Sequence, residues 1–294
     1  MKRNAIILAA GTSSRFIPLS LEKPKGLLTV KGEILIERQI RQLKEAGIDE
    51  IIIVTGYKSE QFEYLKKLYG VELIYNEDYR IYNNTSSLMR VADRLENTFI
   101  CSSDNYFPVN PFISISMRAY YSALYSEGRT DEYCILFDGD DIIRDVQIGG
   151  SDSWYMIGHV FFSTEFSKAF SKLLVREYPK DEVRRGYWED LFIANINKLP
   201  PMIINRYKTD EIKEFDNLDE LRLFDDSYIA SSGSELMNEI SMKLNCRESD
   251  LTDFKNLSKS EVDIRFKFLM NGQPYLYEGC DRKITKLQAD NFNL

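Results

Sequence analysis

The run Ala5-Ile6-Ile7-Leu8-Ala9-Ala10, closed by Gly11, constrains this chain more than any other stretch. Six consecutive apolar residues cannot keep one face in water. The run therefore reads as a strand covered on both sides, the setting of a central parallel strand. Downstream, Leu35, Ile36, Ile40, Leu43 and Ala46 fall on one side of a helix over 35–46 with charges opposite, and Gly47 stops it. The pattern then predicts strands over 51–54, 71–75 and 98–101, with helices over 60–68 and 86–95 between them. Alternation with short connections predicts an α/β fold with a doubly wound, mostly parallel, Rossmann-like sheet. Such sheets bind ligands beyond the carboxyl ends of their strands, which directs attention to residues 11–25 and 102–106.

Beyond residue 108 the pattern loosens into strands over 133–137 and 155–162, helices over 166–174 and 188–196, and a segment 212–215 leading into a helix over 218–224. Residues 226–294 differ in character. Ser231-Ser232-Gly233-Ser234 reads as a linker, 235–244 as an amphipathic helix, and 264–270 and 274–277 as strands turned at Asn271-Gly272. At roughly 100–200 residues per domain, the 294 residues divide into a large domain over 1–225 and a small α+β extension over 226–294.

A net charge of −8 argues against a nucleic-acid or anionic-membrane binder, and 44% hydrophobic residues exclude wholesale disorder. Residues 1–31 nevertheless carry six bases (Lys2, Arg3, Arg15, Lys23, Lys25, Lys31) against Glu22 alone, a local concentration fit to meet an anion. Cys101, Cys134, Cys246 and Cys280 form no C-x-x-C pair and read as reduced thiols of a cytoplasmic protein. Met1-Lys2-Arg3 followed by an apolar run has the outline of a signal peptide, but the run stops at Gly11 and charge returns at Arg15. No stretch approaches the roughly 18 apolar residues of a membrane span. The single histidine, His159, lies in the apolar run 156–162 and is expected to be a packed strand residue.

The chemistry concentrates in Leu8-Ala9-Ala10-Gly11-Thr12-Ser13-Ser14-Arg15, followed by Lys23-Pro24-Lys25-Gly26-Leu27-Leu28. A strand ending in small residues brings backbone N–H groups close to a phosphate, and Thr12, Ser13 and Ser14 add donors. Arg15 and Lys25 supply positive charge for phosphate oxygens. The loop matches neither G-x-x-x-x-G-K-[ST] nor G-x-G-x-x-G, so it is neither a P-loop nor an ordinary dinucleotide loop.

These residues resemble the sugar-nucleotide-type nucleotidyltransferases, whose signature is L-A-A-G-x-[GS]-x-R followed by P-K; Ser13 stands where many members carry a second glycine. Within that superfamily the chain is most similar to the bacterial choline-phosphate cytidylyltransferases. The likeness runs through Tyr75-Asn76, Asn83-Asn84-Thr85-Ser86-Ser87-Leu88, Ser103-Asp104-Asn105-Tyr106, Gly139-Asp140-Asp141, Tyr187-Trp188-Glu189-Asp190 and Glu214-Phe215-Asp216, over residues 4–225. The resemblance implies CTP as a substrate, bound at Leu8, Ala9, Ala10, Gly11, Thr12, Ser13 and Asp104, with Asn84 and Ser87 near cytosine and ribose. Asn83-Asn84-Thr85-Ser86 reads equally as a helix N-cap. The resemblance also implies Mg²⁺ held by Asp104 and Asp216, a pair that suits an ion preferring two carboxylates plus phosphates. Asp216 competes with Asn217 as N-cap of the helix that follows.

A cationic amine on the second substrate would be met by Tyr133, Tyr187, Trp188, Glu189, Asp190 and Glu214, which combine aromatic faces with carboxylates. Tyr133 stands where the choline-phosphate enzymes carry Trp. The expected reaction is transfer of CMP from CTP to phosphocholine, with 2-aminoethylphosphonate, phosphoethanolamine or a sugar 1-phosphate as alternative acceptors. A catalytically silent module for a choline-like ligand is the reading outside enzymes. Residues 226–294 resemble the opening of a choline-kinase-type domain but read Ser258-Lys259-Ser260-Glu261-Val262 in place of its Gly-Leu/Met-Thr-Asn turn and contain no kinase catalytic loop. The extension is expected to be a helix plus hairpin packed on the main domain or on another subunit, in the second case joining copies of the chain, and its removal is expected to leave the chemistry largely intact.

Overall fold

The computed structural model describes residues 2–114, 116–258 and 262–288. Its strands are β1 Asn4–Ala9, β2 Thr29–Val30, β3 Glu33–Ile34, β4 Glu50–Thr55, β5 Glu72–Tyr75, β6 Thr98–Ser102, β7 Ala119–Phe137, β8 Ile143–Phe162, β9 Met202–Arg206, β10 Leu251–Asn256, β11 Arg265–Met270, β12 Gln273–Glu278 and β13 Lys283–Lys286. Its α-helices are α1 Leu19–Glu22, α2 Leu35–Glu45, α3 Tyr64–Tyr69, α4 Asn84–Met89, α5 Thr164–Glu177, α6 Asp181–Arg185, α7 Trp188–Ile193, α8 Leu218–Phe224, α9 Ser227–Ala230 and α10 Glu235–Leu244. Packing groups them into two compact units, one of Met1–Gly11 with Leu35–Glu214, the other of Thr12–Ile34 with Phe215–Leu294.

The first unit is built on a seven-stranded sheet in the order β5-β4-β1-β6-β8-β7-β9. β5, β4, β1 and β6 run parallel, β8 is antiparallel to both β6 and β7, and β9 is parallel to β7. The apolar run of β1 is central as expected, with Ala5, Ile6 and Ile7 fully buried. α2 buries Leu35, Ile36, Ile40 and Leu43, and the chain leaves it through Gly47 at φ 74°. Its buried side also carries two amides with a positioning task. Gln39 Nε2 donates to Ser102 O and Asn105 O at 2.8 and 2.9 Å, and Gln42 Nε2 to Phe107 O at 2.9 Å. Three carbonyls of the turn after β6 are thus satisfied from one helix, which holds that turn in place.

Two helices are shorter than their periodicity predicts. The helix expected over 60–68 opens as a 3₁₀ turn, Ser59–Phe62, before α3, and that over 86–95 ends at Met89 with a separate 3₁₀ turn at Ala92–Arg94. The strands expected over 133–137 and 155–162 are pieces of one hairpin, β7 and β8, each about four times the usual strand length of roughly five residues. Repeated register shifts break the alternation of the hairpin, and Gly149, Asp152 and Gly158 take left-handed φ within it. A period of two could not be read across such bulges. Behind the sheet, Phe162, Phe166, Phe170, Trp188 and Phe192 form an aromatic core.

The second unit contains the antiparallel sheet β10-β11-β12-β13. Asn271 and Gly272 both take left-handed φ, 50° and 78°, as a two-residue hairpin turn requires. The expected hairpin is flanked by two further strands, β10 and β13, whose sequences Leu-Thr-Asp-Phe-Lys-Asn and Lys-Ile-Thr-Lys carry little apolar signal. Rings of Phe254, Phe266, Phe268, Tyr275 and Tyr277 stack on one face. The expected departures at Lys259, Ser260 and Glu261 lie outside the described residues. α10 spans the predicted residues and ends at Asn245 in the left-handed region.

The extension packs with Thr12–Ile34 in one unit, which removes the basis for expecting its loss to be harmless. Arg222, nearly buried, donates to Leu251 O and Glu248 O at 2.6 and 2.7 Å, and the Tyr228 hydroxyl donates to Thr29 O at 2.8 Å. Among the described residues no helix is long and apolar enough to cross a membrane.

Candidate active site

The carboxyl end of β1 is tied to its neighbours through its own carbonyls. Leu8 O accepts the N–H of Ser103, and Ala10 O that of Tyr57, each at 3.1 Å. Close approach there requires Gly56, whose Cβ would lie 2.9 Å from Ala10 O and 2.7 Å from the Tyr79 side chain. Ala9 and Ala10 are buried, whereas Gly11 and Thr12 reach solvent. Next to Ser103 stands Asp104, partly exposed in the turn after β6, its carboxylate accepting a hydrogen bond from the Ser102 hydroxyl.

In the second unit Ser13 takes φ 51° and opens a 3₁₀ turn, Ser14–Phe16. Arg15 extends from that turn to Asp216, Nη1 to Oδ1 2.8 Å. Lys25 is 7% exposed, its Nζ 5.5 Å from the centroid of the Phe16 ring. The N-cap of α8 is Asn217, which accepts from Glu220 N at 3.0 Å, so the Asp216 carboxylate is not spent on capping.

Tyr133, Tyr187, Trp188, Glu189 and Asp190 meet around the N-terminus of α7, which abuts that of α4, and Glu214 lies within electrostatic reach of Tyr121. Glu189 accepts from the Tyr121 hydroxyl and from Asn84 Nδ2, both at 3.2 Å. Asp190 accepts from the Tyr133 hydroxyl at 3.2 Å and from Tyr187 N at 2.8 Å. Glu214 accepts from Asn105 Nδ2 at 3.0 Å. The Asn105 amide occupies space where any Cβ on Gly158 would sit, only 2.0 Å from its Oδ1. Glu189 and Glu214 both act on Tyr121, whose hydroxyl is raised well above its ordinary range, first by burial and then by these negative neighbours.

Three of the expected site residues have their side chains committed within the protein. Trp188 is 2% exposed, stacked on Tyr121 and edge-on to Phe162 and Phe170, so its ring belongs to the core and leaves no open face. Ser87 is buried with its hydroxyl accepting from Asn76 Nδ2 at 3.1 Å. Asn84 is committed at both ends of its amide, Oδ1 to Trp188 N at 2.9 Å and Nδ2 to Glu189, because the first turns of α4 and α7 abut. The cap of α4 is Asn83, whose Oδ1 accepts from Asn84 N.

Residues 5–134 match the model of the MobA-like NTP transferase domain. The choline-phosphate cytidylyltransferase of Streptococcus pneumoniae is 33% identical over 222 residues, 74% of this chain and 97% of that protein. The chain belongs to the cytidylyltransferase branch of the nucleotidyltransferases. The 2-aminoethylphosphonate cytidylyltransferase of Lancefieldella rimae is 35% identical over 239 residues, 78% of this chain and 94% of that protein. A solved CTP:phosphocholine cytidylyltransferase from Streptococcus pneumoniae superposes with a TM-score of 0.74 at 33% identity, over 78% of this chain and all of that one.

For a cytidylyltransferase the electrostatics of the carboxylate cluster matter. Glu189 keeps some accessible surface yet is set deep among protein atoms, and that desolvation raises its carboxyl from 4.5 to about 7, against the lowering pull of its hydrogen bonds. Tyr133 is pushed up to about 12, by burial first and then by Asp190. Tyr121 was not foreseen among the site residues. Its position in a long apolar-aromatic strand conceals the hydroxyl that turns toward Glu189.

Proposed function

We propose that this cytidylyltransferase transfers CMP from CTP to a small phosphate or phosphonate bearing a cationic amine, phosphocholine first among them, and works in the cytoplasm. The observation that carries the proposal is the pairing of Glu189 and Asp190 with the hydroxyls of Tyr121 and Tyr133, with Glu214 of the same unit in electrostatic reach of Tyr121. A phosphate-bearing substrate would not by itself select three carboxylates; a cationic head group would. Tyr187, 46% exposed, supplies an open aromatic face, and a cation over such a face gains roughly 0.5–2 kcal/mol. Phosphocholine and 2-aminoethylphosphonate, for which two of the relatives are named, both carry a cationic amine.

In the proposed reaction an acceptor oxygen forms a bond to the α-phosphorus of CTP, the bond to the bridging oxygen breaks, and pyrophosphate leaves. Phosphate and phosphonate oxygens are already ionised near neutral pH, so no general base is required. The backbone at Leu8–Ser13 would donate to phosphate oxygens, with Arg15 and Lys25 offsetting their charge. Asp104 in the first unit and Asp216 in the second each have donor chemistry that fits Mg²⁺: both are partly exposed carboxylates with hard oxygens, and among the described residues no group of three or more His, Cys, Asp or Glu forms a closed cage. Bound there, the ion would neutralise charge on the triphosphate. Residues 1–225 are proposed as the transferase domain and 226–294 as an extension of it.

Pyrophosphate release measured with phosphocholine, 2-aminoethylphosphonate and phosphoethanolamine, each with CTP, ATP, UTP and dTTP, tests the proposal. Turnover confined to CTP and the amine-bearing acceptors is expected; turnover confined to sugar 1-phosphates would sink it. The raised Glu189 carboxyl adds a pH signature. The charged form holds an ammonium, so kcat/KM for the acceptor should fall as pH drops through about 7. The acceptor phosphate loses its own second proton near pH ~6. Glu189→Gln should therefore flatten only the higher limb and lower acceptor kcat/KM by about tenfold or more. The stability sign is opposite. Between pH 4.5 and about 7 the unfolded chain releases this proton first, so the group costs stability as pH rises through that window.

A further inference from the structure

Glu22 is the one acid among the bases of the segment that carries Arg15 and Lys25, three residues before Lys25. Left in solvent beside a polyphosphate, it would oppose binding. Its carboxylate is instead spent on the N-terminus of α10. Oε1 accepts from the Ser234 hydroxyl and from Leu236 N, both at 2.8 Å, and Oε2 accepts from Glu235 N at 3.1 Å. Ser234 caps the next donor, accepting from Met237 N at 3.1 Å through its hydroxyl, and its carbonyl accepts from Asn238 N. With Ser234 N donating to Ser232 Oγ at 3.3 Å, the four N–H groups that an isolated helix leaves open are all satisfied, two of them by a residue more than 200 positions earlier. The positive end of the helix dipole also faces this carboxylate, which offsets its charge.

The other end of the segment is held as well. Lys31 N donates to Asp225 Oδ2 at 2.6 Å, and Thr29 O accepts from Tyr228. Lys25 thus lies on a stretch pinned by the extension on both sides, at Glu22 and at Thr29. β10 also packs against the 3₁₀ turn that carries Arg15.

We infer that the extension is a positioning element for the phosphate-binding segment, and that Glu22 is the positioning residue through which α10 sets the place of Arg15 and Lys25. The inference rests on the reading of that segment as the CTP phosphate site. Its prediction is a change confined to one substrate: a looser segment weakens CTP binding and leaves the acceptor's own carboxylate cluster untouched.

The experiment compares full-length Glu22→Ala, Glu22→Gln, Glu22→Asp and Arg15→Ala with Glu239→Gln. Glu239 lies on the same helix but pairs with Lys243 and Arg282 rather than with the segment. KM for CTP, KM for phosphocholine, kcat and the melting temperature are measured for each. Glu22→Ala and Glu22→Gln are expected to raise KM for CTP about five- to tenfold, in line with the loss of a helix cap, with KM for phosphocholine unchanged. Glu22→Asp, which keeps the charge, should recover part of that loss, and Glu239→Gln should leave KM for CTP at the wild-type value. Melting lowered with KM for CTP unmoved would make Glu22 merely structural and overturn the inference. An equal rise in Glu239→Gln would overturn it too, since any loosening of the extension would then suffice. If Glu22→Ala does not fold, Glu22→Gln and Glu22→Asp carry the comparison. Arg15→Ala separates the layers: unchanged KM for CTP there removes the phosphate-site reading itself, whereas a raised value there beside an unmoved Glu22→Ala removes the inference alone.

Discussion

Asp104→Ala is expected to lower CTP-dependent pyrophosphate release by roughly 10³-fold, the scale on which charge stabilisation at a reacting phosphate is lost, while the chain stays folded. The side chain sits at the carboxyl edge of the sheet, directly after β6, where a doubly wound fold presents its ligands. Its turn is also held from elsewhere. Gln39 holds the carbonyls of Ser102 and Asn105 on either side, and Ser103 N is bonded to Leu8 O. The carboxylate is partly exposed, so its removal should alter stability by about 1 kcal/mol or less. Loss of turnover without loss of structure is therefore the signature, read by the pyrophosphate assay beside circular dichroism. An alanine variant as active as wild type would remove Asp104 from the metal and nucleotide assignment.

Ending the chain after Asp225 should do the opposite, costing structure first and turnover with it. Arg222 would keep its buried guanidinium and lose both carbonyls that satisfy it, Glu248 O and Leu251 O. Asp219 remains paired with it, and the two lost hydrogen bonds from a charged donor are worth about 1.5–3 kcal/mol each. The apolar side chains of Met237, Ile240 and Leu251 are fully buried and would be missing from the second unit. Each such loss adds about 2–5 kcal/mol when judged by core truncations. Against a total stability of about 5–15 kcal/mol, the truncated chain should melt more than ~10 °C lower, or fail to stay in solution. Turnover should fall about a hundredfold or more through the disordered Thr12–Ile34 segment. A truncated protein that melts with the full chain and turns over normally would show that the interlock carries no load.

The first hundred residues were readable because each element there buries one kind of face. The run of β1, the stripe of α2 and the glycine stop at Gly47 all announce themselves locally. The β7–β8 hairpin did not, because its bulges and its left-handed residues at Gly149, Asp152 and Gly158 depend on pairing with a distant partner rather than on a period in the sequence. The same distinction runs through the site. The motif Tyr187-Trp188-Glu189-Asp190 was visible as a unit, but its division of labour was not. Whether Trp188 or Tyr187 faces outward depends on how α7 docks, and α7 turns Trp188 into the aromatic core. Asn84 could be read from its neighbours as a cap or as a base reader; only the abutment of α4 and α7 commits its amide to Trp188 N and Glu189. The partnership of Glu22 with Ser234 spans the whole chain and leaves no local trace at either end.

The lone histidine has an experimental use that follows from its burial. His159 is 1% exposed, with the hydroxyls of Ser122 and Tyr207 within 3.0 and 3.3 Å of Nε2, and desolvation lowers it to about 3. No imidazolium forms anywhere in this protein across the range of about pH 5–8 in which histidines usually titrate. Proton-linked changes in rate near neutrality can be attributed to carboxyl groups and substrate phosphates without subtracting a histidine background. Reagents that inactivate enzymes by acylating imidazole have no reachable target, so inactivation by them would report on lysine or tyrosine chemistry instead.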